Sequence, residues 1–196
     1  MELSKERIAA SEHAIKRCIT KVIVGSTGSP HRVFYATLIM RLKLEGADSI
    51  GSMALPTMAT DGVRMYHNPS FVQRLKDDEL TFCIVHEADH CARLHPFRRE
   101  GRDPKLWNIA VDLHVNRDLI QAGFTPPSCI QIVNDPSLCQ RTEEETYWFL
   151  QQNPEALKKL LGGAQYGQGE AGDMGVGGTI DCPSEDDSGN PVDRGA

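Results

Sequence analysis

Several absences narrow this sequence before any motif does. No stretch approaches the roughly 18 uninterrupted apolar residues of a membrane span, so no membrane association is expected. No Lys/Arg run forms a basic face, and a net charge of −6 with a pI near 5.6 argues against nucleic acid as a partner, because phosphate neutralisation needs such a face. The opening Met1-Glu2-Leu3-Ser4-Lys5-Glu6-Arg7 lacks the apolar centre of a secretion signal, and a cytoplasmic location is the expectation. None of the six cysteines stands in a CxxC pair, and Cys83 and Cys91 fall within an expected helix. In a reducing compartment they read as small buried apolar residues, with no disulfide framework. What is present is ordinary: apolar residues at 40% and charged residues at 24%, spread over 196 positions, suit one folded domain with a core.

Apolar positions recur at helical spacing from Leu3 to about Val24, and Gly25-Ser26-Thr27-Gly28-Ser29-Pro30 ends that helix. A second helix is predicted from Val33 to Leu44, with Phe34, Leu38, Ile39 and Leu42 as its stripe. Met53-Ala54-Leu55 and Val63-Arg64-Met65-Tyr66 flank Thr60-Asp61-Gly62, a hairpin signal. Asn68-Pro69-Ser70 starts a short helix, and a buried one runs from Asp77 to about Leu94, where His95-Pro96 stops it. Asp103-Pro104 opens a further core helix through Leu106 and Leu119 to Gly123. Thr142 with Glu145 makes a capping box for the next, and a short helix begins at Pro154. The folded unit is thus placed at 1–161, and 162–196, rich in Gly, Asp, Ser and Gln apart from an Ile180–Pro183 island, reads as a flexible tail.

His86-Glu87-Ala88-Asp89-His90 is an HExxH motif on the predicted buried helix. Residues four apart share a helical face, so two imidazoles can grip one tetrahedral zinc ion. Glu87 lies on the neighbouring flank, where its carboxylate can take a proton from zinc-activated water as that water attacks a carbonyl. With seven histidines in 196 residues, about 0.02 such motifs are expected by chance, so accident is a poor explanation.

A catalytic zinc needs a third protein ligand and an open fourth position. The metzincin pattern is excluded, since Arg93 and Pro96 stand where it requires Gly and His. His95 lies well round from the His86/His90 line on a straight helix and reads as a dipole-stabilising C-terminal residue. The next core helix offers Asp112 or, as the alternative, His114, about 160° away from it. Asn108, Asp112 and Asn116 form one polar stripe in an apolar helix, which favours Asp112 and makes Asn108 and Asn116 groups that orient ligands or substrate.

The run Ile84-Val85-His86-Glu87-Ala88-Asp89-His90, with Leu94-His95-Pro96, Arg98-Arg99, Gly101-Arg102-Asp103-Pro104 and Leu106-Trp107-Asn108-Ile109-Ala110-Val111-Asp112, resembles a metallopeptidase domain found with von Willebrand factor A-like proteins in bacteria and phages. Met58-Ala59-Thr60-Asp61-Gly62, Asn68-Pro69-Ser70-Phe71 and Thr142-Glu143-Glu144-Glu145-Thr146-Tyr147 fit the same family. The resemblance spans about residues 10–150. It implies a zincin-like α+β fold, mostly helical, with a small sheet beside the active-site helix that can receive substrate as an added strand. It also supports Asp112 as the third ligand, whereas His114 departs from the residue expected there. A MoxR-type ATPase or a von Willebrand factor A-like protein is the partner the resemblance implies.

The first functional expectation is therefore a zinc endopeptidase acting on a protein or peptide, with His86, His90 and Asp112 on the metal and Glu87 as general base. Tyr66, His67 and His114 are candidate oxyanion helpers. The alternative is a non-catalytic zinc-containing binding or adaptor module that captures a partner segment at its edge strand. Self-processing of the tail beyond Gly162 is a third expectation.

Overall fold

A computed structural model describes residues 4–24 and 30–162. The Gly25–Pro30 break, except for its last residue, and the expected tail with its Ile180–Pro183 island lie outside the described residues.

Helix α1 (Lys5–Val24) buries Ser11, Ile15, Cys18 and Val22, one face at helical spacing, against α2 (Pro30–Ile39), the short α3 (Pro69–Val72) and α4 (Asp77–Ala92). Arg17 and Lys21 both pair with the Asp77 carboxylate, fixing α1 to the first turn of α4. Residues 82–90 of α4 are all buried, so this stretch of the helix has no solvent face. At its N-terminus the Lys76 backbone N–H donates to Glu79 Oε2 at 2.9 Å, one half of a capping box.

The sheet has the order β1 (Lys43–Gly46), β5 (Arg64–His67), β4 (Met58–Thr60). Strand β1 runs parallel to β5 with Gly46 opposite His67, and β4 runs antiparallel to it with Thr60 opposite Met65. A separate two-stranded ribbon joins β2 (Ser49–Ile50) and β3 (Met53–Ala54). At Gly46 a Cβ would meet Ile8 Cγ2 at 2.7 Å, so any larger residue would push the Ile8 side chain of α1 off β1. Asp61-Gly62 turns the β4–β5 hairpin: Gly62 takes a φ of +88°, and Asp61 Oδ1 accepts from the Val63 and Arg64 backbone N–H groups at 2.8 and 2.6 Å.

Two expectations change here. The helix predicted to reach Leu44 ends at Ile39, and Leu44 belongs to β1. Arg41 and Leu42 close tight turns onto Leu38 and Ile39, while the expected stripe residue Phe34 is 52% exposed. A parallel partner some 20 residues away decides that segment, and local periodicity does not carry such information. Likewise Met53-Ala54 pairs with Ser49-Ile50, and Met58–Thr60, buried throughout and therefore without alternation, is the strand opposite β5.

Helix α5 (His95–Arg98) follows α4 directly. Then α6 (Pro104–Gln121), α7 (Glu143–Gln152) and α8 (Pro154–Leu160) build a second core around Trp107, Leu113, Tyr147 and Leu150. Helix α6 packs on both α4 and α7, so it joins the two halves of the molecule. Cys18, Cys83, Cys91, Cys129 and Cys139 are free thiols, with Cys18, Cys83 and Cys139 buried and Cys129 exposed. No helix among the described residues is long and apolar enough to cross a membrane.

Candidate metal centre

Two buried helices set the site. Helix α4 presents His86 and His90 one turn apart. Helix α6, started by Asp103 accepting from the Leu106 backbone N–H at 2.9 Å with Pro104 at its first position, brings Asp112 opposite them. His86 Nε2 and His90 Nε2 lie 2.8 Å apart, and Asp112 Oδ1 stands 3.4 Å from the first and 3.1 Å from the second. His86, His90 and Asp112 are the group among the described residues whose ligand atoms converge in a way that could hold a metal ion.

The fit can be tested on these distances. Around a tetrahedral ion with ligand bonds of about 2.0–2.2 Å, donor atoms stand about 3.3–3.5 Å apart. The observed edges of 2.8, 3.1 and 3.4 Å need to open by about half an ångström or less. Asp112 Oδ1, although close to both imidazoles, is in hydrogen-bonding geometry with neither. A buried carboxylate oxygen without a proton donor is what a metal position leaves when the metal is not counted. Two imidazoles and a carboxylate are borderline-soft and hard donors that suit a divalent ion. The residues present therefore fit a metal.

Electrostatics separate the two carboxylates. Burial alone would push Asp112 up, but the His86 and His90 imidazoles beside it outweigh burial and hold it at about 2. Glu87 has no such support: it is fully buried, neither carboxylate oxygen has a hydrogen-bond partner, and burial with the nearby Asp112 charge raises its pKa well above the ordinary value. Burial lowers His90 to about 4 against the pull of Asp112, keeping it in the neutral form that ligation requires. The ring of Phe82 stacks at 6.1 Å on His86 and closes that side of the site. Strand β4 packs on α4, where Thr60 Oγ1 and Cys91 Sγ lie 3.3 Å apart, so the strand before Asp61-Gly62 does lie beside the ligand helix.

The other sequence candidates are placed elsewhere. His114 points to α7 and bonds Thr146 Oγ1 at 3.0 Å. Asn116 is buried and donates to the Val133 carbonyl, tying down the segment after α6, while Asn108 is half-buried. The Tyr66 hydroxyl donates to Asp61 Oδ2 at 3.1 Å, and burial and that carboxylate push it up to about 12. His67 Nε2 meets Ser11 Oγ on α1 at 3.0 Å. His114, Asn116, Tyr66 and His67 thus make these contacts away from His86, His90 and Asp112.

Sequence reasoning missed what lies behind the ligands. Leu94 takes a left-handed φ of 58°, so the chain leaves α4 and turns His95 back beneath His90. His95 is buried at the start of α5, with its Nδ1 2.8 Å from His90 Nδ1, so it is not the C-terminal dipole partner of α4 that the sequence suggests. Asp89 faces away from the site and accepts from the Tyr35 hydroxyl at 2.9 Å and from Arg93 at 2.8 Å. Arg93 also reaches Asp118 at 2.7 Å and Glu143 at 3.1 Å, and Arg98 reaches Glu143 at 2.7 Å and Glu144 at 2.6 Å. Burial opposes ionisation of Glu143, yet His95, Arg98 and Arg93 overcome it and hold its carboxyl well below the usual range. Glu143 follows the Thr142 cap, and that capping box was the one visible signal for its position.

No curated protein and no solved structure matches this chain. The sequence model of the family described as "Putative metallopeptidase domain" matches residues 27–192, which includes both ligand helices and continues past residue 161. With most of its length matched, and with two histidines and an aspartate converging from those helices, the chain belongs to this metallopeptidase-domain family.

Proposed function

We propose that this protein is a zinc-dependent endopeptidase, with the metal on His86 Nε2, His90 Nε2 and Asp112 Oδ1 and with Glu87 as the general base. The observation that carries the reading is one juxtaposition. Three ligand atoms converge beside a fully buried carboxylate that has no hydrogen-bond partner. A structural metal site does not need such a carboxylate, whereas hydrolysis does. Zinc bound there would supply Lewis acidity, polarising a substrate carbonyl and bringing the pKa of coordinated water to about 7. The protein's own part is to keep His90 neutral, hold Asp112 ionised, exclude bulk solvent and move one proton. Glu87 takes that proton on a carboxylate oxygen from the attacking water and gives it to the departing amine nitrogen. The raised pKa of Glu87 brings it closer to that task than an exposed glutamate.

The substrate in this reading is a protein or peptide segment laid along β4. The family resemblance adds a MoxR-type ATPase or a von Willebrand factor A-like protein as partner in the cytoplasm. Asn108, one turn before Asp112 on α6, would orient ligand or substrate.

One observation favours the second reading, a metal-containing binding module without catalysis: His86, Glu87 and His90 are fully buried and Asp112 is 4% exposed. In the peptidase reading, the covering segments move aside for substrate. The deciding experiment incubates zinc-loaded wild-type protein, Glu87→Gln and Glu87→Ala with unfolded casein and measures zinc stoichiometry alongside cleavage. One zinc per chain in all three, with cleavage by wild type alone, is expected. Zinc retained and cleavage unchanged in the variants would overturn the enzyme assignment. Intact mass of wild type against Glu87→Gln over the same incubation tests self-processing.

A further inference from the structure

Behind the ligand His90 stands a second imidazole. His95 Nδ1 lies 2.8 Å from His90 Nδ1, on the side of the ring away from Asp112. The far nitrogen of His95, Nε2, is 3.1 Å from Glu143 Oε1, close but bent out of full hydrogen-bond alignment. Glu143 is in turn fixed by Arg93 on Oε1 at 3.1 Å and by Arg98 on Oε2 at 2.7 Å. His95 is held at its backbone as well, since Trp107 Nε1 donates to its carbonyl at 3.2 Å.

Proton placement along this row is forced once His90 ligates through Nε2. That nitrogen's lone pair is committed to the metal, so the neutral ring carries its proton on Nδ1 and must donate. The atom it faces, His95 Nδ1, must then accept, which leaves the His95 proton on Nε2, pointing at a carboxylate held ionised by two guanidinium groups. Each group meets a complementary neighbour. The other ligand differs: His86 Nδ1 is buried and has no hydrogen-bond partner.

From this geometry we infer that His95 and Glu143 are positioning residues that select the ligating tautomer of His90 through a relay His90 Nδ1–H to His95 Nδ1 and His95 Nε2–H to Glu143 Oε1. The inference rests on the metal reading above. It assigns the orientation and basicity of one ligand to α5 and to the first turn of α7, neither of which carries a ligand.

The test uses the full chain and Zn²⁺. Competition with a chromophoric chelator gives the zinc affinity of wild type, His95→Phe, His95→Gln and Glu143→Gln. His95→Phe keeps the ring volume but offers no acceptor, and about a 10- to 100-fold loss of zinc affinity is expected. His95→Gln places an amide oxygen toward His90 and an amide N–H toward Glu143, and recovery to within a few-fold of wild type is expected. Long-range ¹H–¹⁵N spectra of zinc-loaded wild type should show His95 protonated on Nε2 and accepting on Nδ1, a readout that needs no variant to fold.

Wild-type zinc uptake with equal affinity in His95→Phe, or a His95 proton found on Nδ1, would overturn the relay and leave the metal site standing. Failure of wild type to take up zinc would remove the metal site and the relay together.

Discussion

Glu87 should make the metal-free protein less stable than it need be, and replacing it with glutamine measures by how much. Its carboxylate is fully buried, both oxygens are unpartnered, and its pKa is raised first by burial and then by Asp112. A buried polar group without a partner costs about 1–3 kcal/mol, and more when charged. Glu87→Gln keeps the shape and the polar desolvation but removes the charge, so a gain of about 1–3 kcal/mol is expected near neutral pH in chelator. For a chain of this length, 1 kcal/mol moves Tm by about 2–4 °C, so the middle of that range gives a rise of about 4–8 °C. The sign depends on pH. A carboxyl whose folded pKa is raised contributes no penalty below its unfolded value of about 4.5, and the penalty grows as pH climbs toward the folded value. Thermal unfolding of both proteins in EDTA at pH 5 and pH 8 should therefore show a larger advantage for the glutamine variant at pH 8. With zinc and casein the same variant should lose about 10²–10⁴-fold in rate. A variant no more stable than wild type at pH 8, or an advantage equal at both pH values, would refute this account of Glu87.

Asp112→Ala should weaken zinc binding by at least about 100-fold, beyond any supporting residue, because a direct ligand is lost; chelator competition measures it. Arg93→Met leaves the buried Asp89 and Glu143 carboxylates short of a cation. A loss of about 3 kcal/mol and a Tm lower by about 6–12 °C are expected in calorimetry. Glu79 is held at about 2 by hydrogen bonds from Ser128 and from the Lys76 backbone. Its contribution, about 3 kcal/mol, is present above pH 4.5 and lost as pH falls toward 2. Glu79→Gln should flatten the acid limb of the stability curve by that amount.

The HExxH pair and the polar stripe on α6 were legible because both follow from helical geometry, and geometry of that kind is local. The stripe of Asn108, Asp112 and Asn116 is readable from spacing alone, and Asp112 is the member set against His86 and His90. The parallel strand β1 was not legible: Lys43–Gly46 is short, its residues are exposed or half-buried, and what makes it a strand is β5. His95 was misplaced for a different reason. Helical spacing gives an angular position only as far as the helix runs, and α4 ends at Ala92 with a backbone inversion at Leu94. Glu143 gave only its capping box, since ion pairs about 50 residues apart in sequence leave no local trace.

The inversion at Leu94 has its own consequence. A branched residue in left-handed geometry carries a strain of about 1–2 kcal/mol that glycine would not. The Leu94 side chain is 55% exposed, so packing returns little of that. The path of the chain out of α4, and with it the aim of His95, is therefore dictated by the segments docked on either side. Position 94 should accept glycine or asparagine freely, whereas proline, barred from positive φ, would swing the supporting imidazole away from the ligand it faces.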